Sequence, residues 1–218
     1  MKRVLLRLPN WLGDVVMAAP AVEAIRRALP DAELVAQARA PFLPLARLLP
    51  GVTEAIPAGE DRGLRGLWRS RRALRARRFD GAVVFPRSFR AAVAPWLAGI
   101  PVRVGFGATA RPRLLTHPVE GWQPLRQRHR SAFYGALTRP FGVEPGGPWR
   151  LEAPPAALEA ADRLLLHLGR RPGRPLVAME PGASYGPAKC WPADRFGEAA
   201  RRLIHEDRAD VVTIGTAA

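Results

Sequence analysis

Cysteine is almost missing from this 218-residue chain: Cys190 stands alone, which excludes an internal disulfide and suits a reducing cytosol. Histidine is scarce as well. His117, His129, His167 and His205 show no ligand spacing with one another or with Cys190, and no Asp-x-Asp occurs, so the sequence offers no metal motif. Long apolar runs are absent, since nothing approaches the ~20 uninterrupted apolar residues of a membrane span. Lys2-Arg3 ahead of apolar residues mimics a secretory leader, but Arg7 and Asp14 break the run and argue against one. Internal repeats and low-complexity tails are missing too. These absences point to a cytoplasmic globular chain.

Acidic residues are outnumbered, 19 against 34 basic ones, for a formal charge of +15. Only Lys2 and Lys189 are lysines; every other base is arginine. A GC-rich coding bias accounts for arginine over lysine but not for the excess of bases over acids. The excess concentrates between Arg62 and Arg90, where ten arginines face the single acid Asp80. Within it, Leu64, Leu67, Trp68 and Leu74 form a narrow apolar stripe ringed by arginine. Such a face suits an anionic partner: a phosphorylated glycolipid, an acidic membrane surface or nucleic acid. No helix-turn-helix, zinc or aromatic-basic ribonucleoprotein motif supports the last of these.

Two loops carry the chemistry. Pro181 to Pro192 is a Gly/Pro-rich loop with one lysine, set between an apolar strand (Leu176 to Met179) and an expected helix (Asp194 to Ile204). Glycines allow close backbone approach to an anion, the helix offers its positive end, and Lys189 adds a full charge; a plain connecting turn is the alternative. At the N-terminus, strand Val4 to Leu8 runs into Pro9-Asn10-Trp11-Leu12-Gly13-Asp14 before the amphipathic run Val15, Ala18, Val22, Ile25, Leu29. Because proline suits a first turn, one turn over Asp14 to Ala19 and a separate helix over Pro20 to Ala28 are expected. Asp14 then lies at a strand's C-terminal end, where open α/β sheets bind ligands; it could equally be a helix cap.

The segments Leu8 to Met17, Pro86-Arg87-Ser88-Phe89-Arg90 with Leu97 to Pro101 and Arg103-Val104-Gly105, and Pro181-Gly182-Ala183 through Lys189-Cys190-Trp191-Pro192 together resemble glycosyltransferase family 9. The likeness is to its ADP-heptose:lipopolysaccharide heptosyltransferases of the heptosyltransferase II type, and it covers essentially the whole chain. The resemblance implies a GT-B enzyme with two Rossmann-like domains, acceptor on the first and nucleotide sugar mainly on the second. It makes Asp14 the general base of an inverting transfer from ADP-heptose to the inner core of lipopolysaccharide. Lys189, with Ser184 and Tyr185, would contact the donor, and Ser184 and Cys190 depart from the acidic and basic residues common there. Acceptor recognition falls on Asn10, Trp11, Gly13, Ser88, Arg90 and Arg103, the last three expected after the fourth and fifth strands on the ligand side. No cofactor is implied and no metal is required, because a cationic side chain can stabilise the departing diphosphate.

The remaining pattern is alternating β and α, hence a parallel sheet: strands near Glu33 to Ala36, Glu54 to Ile56, Gly81 to Phe85 and Pro101 to Gly105, then a helix over Arg130 to Thr138. Residues 1–150 are expected to form the acceptor domain, 151–175 (with a helix over Pro155 to Leu168) an interdomain segment, and 176–218 the start of a donor domain. One β-loop-α-β unit cannot bury enough apolar surface to offset its ordering entropy. The expectation is therefore a C-terminally truncated transferase, with a non-catalytic remnant that binds an anionic acceptor as the alternative. Its lipid-anchored acceptor would bring the basic surface to the inner face of the inner membrane. Trp11 is a candidate cleft residue, Trp68 and Trp96 candidates for packing, and Gly99 and Gly105 candidates for turns.

Overall fold

A computed structural model describes residues 1–59, 63–108, 110–146, 150–182 and 190–215. The chain divides into two units, Met1–Glu152 and Ala153–Ala218.

The first unit is a six-stranded, all-parallel sheet in the order β3-β2-β1-β4-β5-β6, with β1 Arg3–Arg7, β2 Glu33–Ala38, β3 Val52–Pro57, β4 Gly81–Val84, β5 Val102–Phe106 and β6 His117–Val119. It is the parallel α/β sheet of a Rossmann-like domain. The short β6 carries too few apolar residues to be visible in the sequence. Strand alternation builds two cores: Val4, Leu6, Leu34 and Ala36 pack with α1 (Leu12–Ala28) and α5 (Arg130–Gly135), while Leu5, Val35 and Ala82 pack with α3 (Gly63–Ala76) and α4 (Phe89–Leu97). The short α2 (Leu43–Arg47) precedes β3. Gly99, at φ 75°, closes the turn from α4 into β5. The Asp80 carboxylate ties down the start of β1 by accepting the backbone N–H groups of Lys2 (2.7 Å) and Arg3 (2.8 Å), which hold it below the usual carboxylate range.

Several expectations are corrected. Helix α1 is continuous through Pro20, not broken there. Pro20 has no N–H to give, but Val15, Ala18, Ala19, Ala21, Val22, Ala24 and Ile25 are all buried along one stripe, and that burial outweighs a cost of about 3 kcal/mol. Trp68 and Trp96 are not core residues: they are 62% and 46% exposed. Gly105 is no turn former but lies inside β5. The helix expected over Arg130 to Thr138 splits into α5 and a 3-10 segment, Ala136–Phe141, that ends at left-handed Gly142 (φ 68°).

The second unit contains α6 (Pro155–His167), β7 (Leu176–Met179), α7 (Ala193–His205) and β8 (Asp210–Thr213), with β7 and β8 paired in parallel. Asp210 receives the Arg171 guanidinium at 2.7 Å and the Arg171 backbone N–H at 2.6 Å. Among its described residues only Ala209 is buried, and Leu158, Leu164, Leu166 and Leu168 of α6 and its end are exposed.

Candidate active site

In the six-stranded sheet the chain order reverses between β1 and β4, which pair through Arg7↔Val84. The carboxyl ends of two such strands diverge into loops that leave a crevice, the place where open parallel sheets bind ligands. The loop after β1 brings Asp14 to this crevice, and the loop after β4 brings Pro86, Arg87 and Ser88.

Asp14 is not the helix cap. Trp11 holds the N-cap position with no side-chain cap bond, and Asp14 sits in the first turn of α1, where the helix dipole favours an anion. Its carboxylate is paired with Arg130 Nε at 3.4 Å. The Tyr134 hydroxyl donates to it as well; burial first, and then the Asp14 charge, push the Tyr134 pKa well above its ordinary value. Both partners come from α5, which packs against α1.

Behind Asp14 lies an aromatic floor. Phe106 stacks on Phe133 (4.3 Å between centroids), Phe133 meets Tyr134 edge-on (5.3 Å), and Trp122 packs on Phe106 (5.7 Å). Arg87 lies over the Trp122 and Phe133 rings at 5.3 and 5.9 Å, and Arg130 over Phe133 at 5.6 Å. Burial, followed by the charges of Arg126 and Arg130, lowers the Arg87 pKa.

The least expected member is Arg111, in the 3-10 turn after β5. Its side chain is fully buried. Nη1 donates to the Pro86 carbonyl at 2.6 Å, whereas Nε and Nη2 have no hydrogen-bond partner. Burial, with Arg7 and Arg87 nearby, brings its pKa down to about 10. Space for it comes from Gly105, where a Cβ would stand 2.8 Å from Nη2. Mutually repelling cations thus run from Arg7 through Arg111 and Arg87 to Arg126 and Arg130, and end at Asp14. A buried guanidinium with idle donors is costly.

Of the residues expected to contact acceptor, Asn10, Trp11 and Gly13 lie with Asp14 and are exposed; a Cβ at Gly13 would meet nothing within 4 Å. Ser88 and Arg90 are exposed at the start of α4, on the ligand side. Arg103 is misplaced by the sequence reading. It is the second residue of β5, at the opposite end of that strand, and its guanidinium is spent on the carbonyls of Leu114 (2.7 Å), Ile100 and Pro101. Ser184, Tyr185 and Lys189 lie outside the described residues; the flanking β7 and α7 form where expected, and Trp191 packs edge-on against Phe196 at 5.1 Å. Arg87, Arg111, Arg130 and Tyr134 were not singled out. Arg87 stood one residue from Ser88 in a segment already noted, while Arg111 had nothing to distinguish it among so many arginines. Among the described residues, no three His, Cys, Asp or Glu side chains gather into a metal-binding group.

The chain is 32% identical to lipopolysaccharide heptosyltransferase 2 of Salmonella typhimurium over 99% of its own length, and spans 64% of that relative. The solved structure of the E. coli ADP-heptose lps heptosyltransferase II superposes with a TM-score of 0.74 at 28% identity, covering all of this chain and 65% of that one. A glycosyl transferase family 9 structure from Veillonella parvula superposes with a TM-score of 0.84 at 20% identity over 97% of this chain and 62% of that one, a likeness of fold. The family model for glycosyltransferase family 9 (heptosyltransferase) matches residues 67–218, which takes in Arg87, Arg111, α5 and Lys189. The chain belongs to glycosyltransferase family 9.

Proposed function

We propose that this chain transfers a heptose from ADP-heptose to an anionic acceptor of the lipopolysaccharide inner core, with inversion at the anomeric carbon. The observation that carries the reading is the Asp14 carboxylate, held by Arg130 and Tyr134 at the switch point of the sheet, at one end of a row of arginines. A carboxylate there accepts the proton of an acceptor hydroxyl as its oxygen bonds to the anomeric carbon. The bond from that carbon to the diphosphate breaks on the opposite face, and ADP departs with the electron pair. Lys189, aided by Ser184 and Tyr185, stabilises the charge that builds on the diphosphate.

The acceptor sits over Asn10, Trp11 and Gly13, and Ser88 and Arg90 border it. Its carboxylate or phosphate meets Arg87. Aromatic walls keep that guanidinium partly dry, where each charge-assisted bond counts for more than in water. No step in this scheme requires a metal.

Calorimetric titration of the chain with ADP-heptose, and separately with deacylated core acceptor, tests the reading. Both should bind; Lys189→Ala should weaken the first alone and Arg87→Gln the second alone. Acceptor binding without donor binding would favour an acceptor-only protein, and binding of neither would refute the assignment.

A further inference from the structure

Helix α3 carries eight charged or large apolar side chains that do not serve the core, and none of them is acidic. Its inward face repeats every four residues through Gly66, Ser70 and Leu74, all buried. The opposite face presents Leu64 and Trp68 one turn apart, 78% and 62% exposed, with Arg65, Arg69, Arg72 and Arg75 around them, all exposed. Arg71 fixes the tryptophan. Its guanidinium lies over the Trp68 ring at 4.7 Å while Nε donates to the Leu97 carbonyl at 3.1 Å, so the indole is held on the outer surface of α3.

We propose that this face of α3 is a docking surface for an anionic phospholipid bilayer. Two large apolar side chains inside a ring of arginines match the membrane boundary at both levels: indole and leucine enter the acyl edge while guanidinium groups hold headgroup phosphates. Nucleic acid would use the arginines but gives Leu64 no partner. The placement suits the site as well. α3 joins β3 to β4 and begins at the same carboxyl edge of the sheet from which the loops bearing Asp14 and Arg87 emerge. An acceptor anchored in a bilayer would therefore be presented to the crevice from the side on which α3 starts.

The proposal does not depend on the transfer reaction, and neither does its test. The full chain is co-sedimented with vesicles of phosphatidylcholine alone and of phosphatidylcholine with phosphatidylglycerol, at low and at physiological salt. Binding is expected to the anionic vesicles only and to weaken with salt. Arg65→Gln/Arg72→Gln/Arg75→Gln should lower vesicle affinity on the order of a hundredfold, about fivefold per arginine. Trp68→Ser, which leaves the charge intact, should lower it roughly tenfold. Thermal melts verify that these exposed substitutions leave the fold in place. An equal loss from the control set Arg47→Gln/Arg113→Gln/Arg163→Gln would overturn the proposal, since it would assign binding to net charge. So would an unchanged vesicle affinity in Trp68→Ser, or duplex DNA that displaces the native chain from anionic vesicles and binds the Trp68→Ser variant as tightly as the native chain.

Discussion

Replacing Arg111 with methionine should raise the stability of the chain. Folding lowers the Arg111 pKa to about 10, chiefly by burial. A base whose pKa falls on folding is a charge that the folded state carries at a cost. That cost is present in full at neutral pH and is relieved only as pH rises through about 10. At about 1.4 kcal/mol for each tenfold change in proton affinity it amounts to about 3 kcal/mol. Methionine fills a similar length without the charge, and the Pro86 carbonyl loses its donor, which returns about 1 kcal/mol. The net gain of about 2 kcal/mol corresponds to a Tm higher by about 4–8 °C for a unit of this size. The assay is a thermal melt at neutral pH. A variant that melts lower than the native chain would refute the reasoning, because the buried charge would then be compensated by the protein itself.

Gly105→Ala should destabilise by about 1–3 kcal/mol, because the new Cβ falls 2.8 Å from Arg111 Nη2; denaturant melts should show most of that loss recovered when Arg111→Met is combined with it. Tyr134→Phe removes a hydroxyl that donates to Asp14; transfer assays should show turnover lowered several-fold at unchanged donor affinity, and unchanged turnover would exclude Tyr134 from positioning the base. Asp80→Ala should cost about 1–2 kcal/mol through the two backbone donors it orphans. Since folding lowers the Asp80 pKa, its contribution is present above about pH 4 and is lost as pH falls below that, so the variant should show a flatter decline of Tm on acidification.

Much of the architecture was legible because its signals are local. The apolar runs of β1, β2, β4 and β7 set the element order, and the glycine-bearing segment after β1 brought Asp14 forward. The errors arise where tertiary burial overrules a local preference. Pro20 reads as a helix start, yet the buried stripe of α1 carries the helix through it. Arg103 reads as a ligand contact, yet it clamps carbonyls at the wrong end of β5. Tyr134 and Arg111 reach Asp14 and Arg87 only through a fold that brings α5 and the turn after β5 to the switch point. No spacing in the sequence announces that juxtaposition, and arginine is too common in this chain for Arg111 to stand out.

The central claim is that Asp14 activates an acceptor hydroxyl for heptose transfer. Its most direct test is ADP release from ADP-heptose, with and without lipopolysaccharide core acceptor, by the native chain and by Asp14→Asn, with donor affinity measured in parallel. Acceptor-dependent release that falls at least ~100-fold in the variant at unchanged donor affinity is the predicted result. Release by Asp14→Asn at the native rate would contradict it.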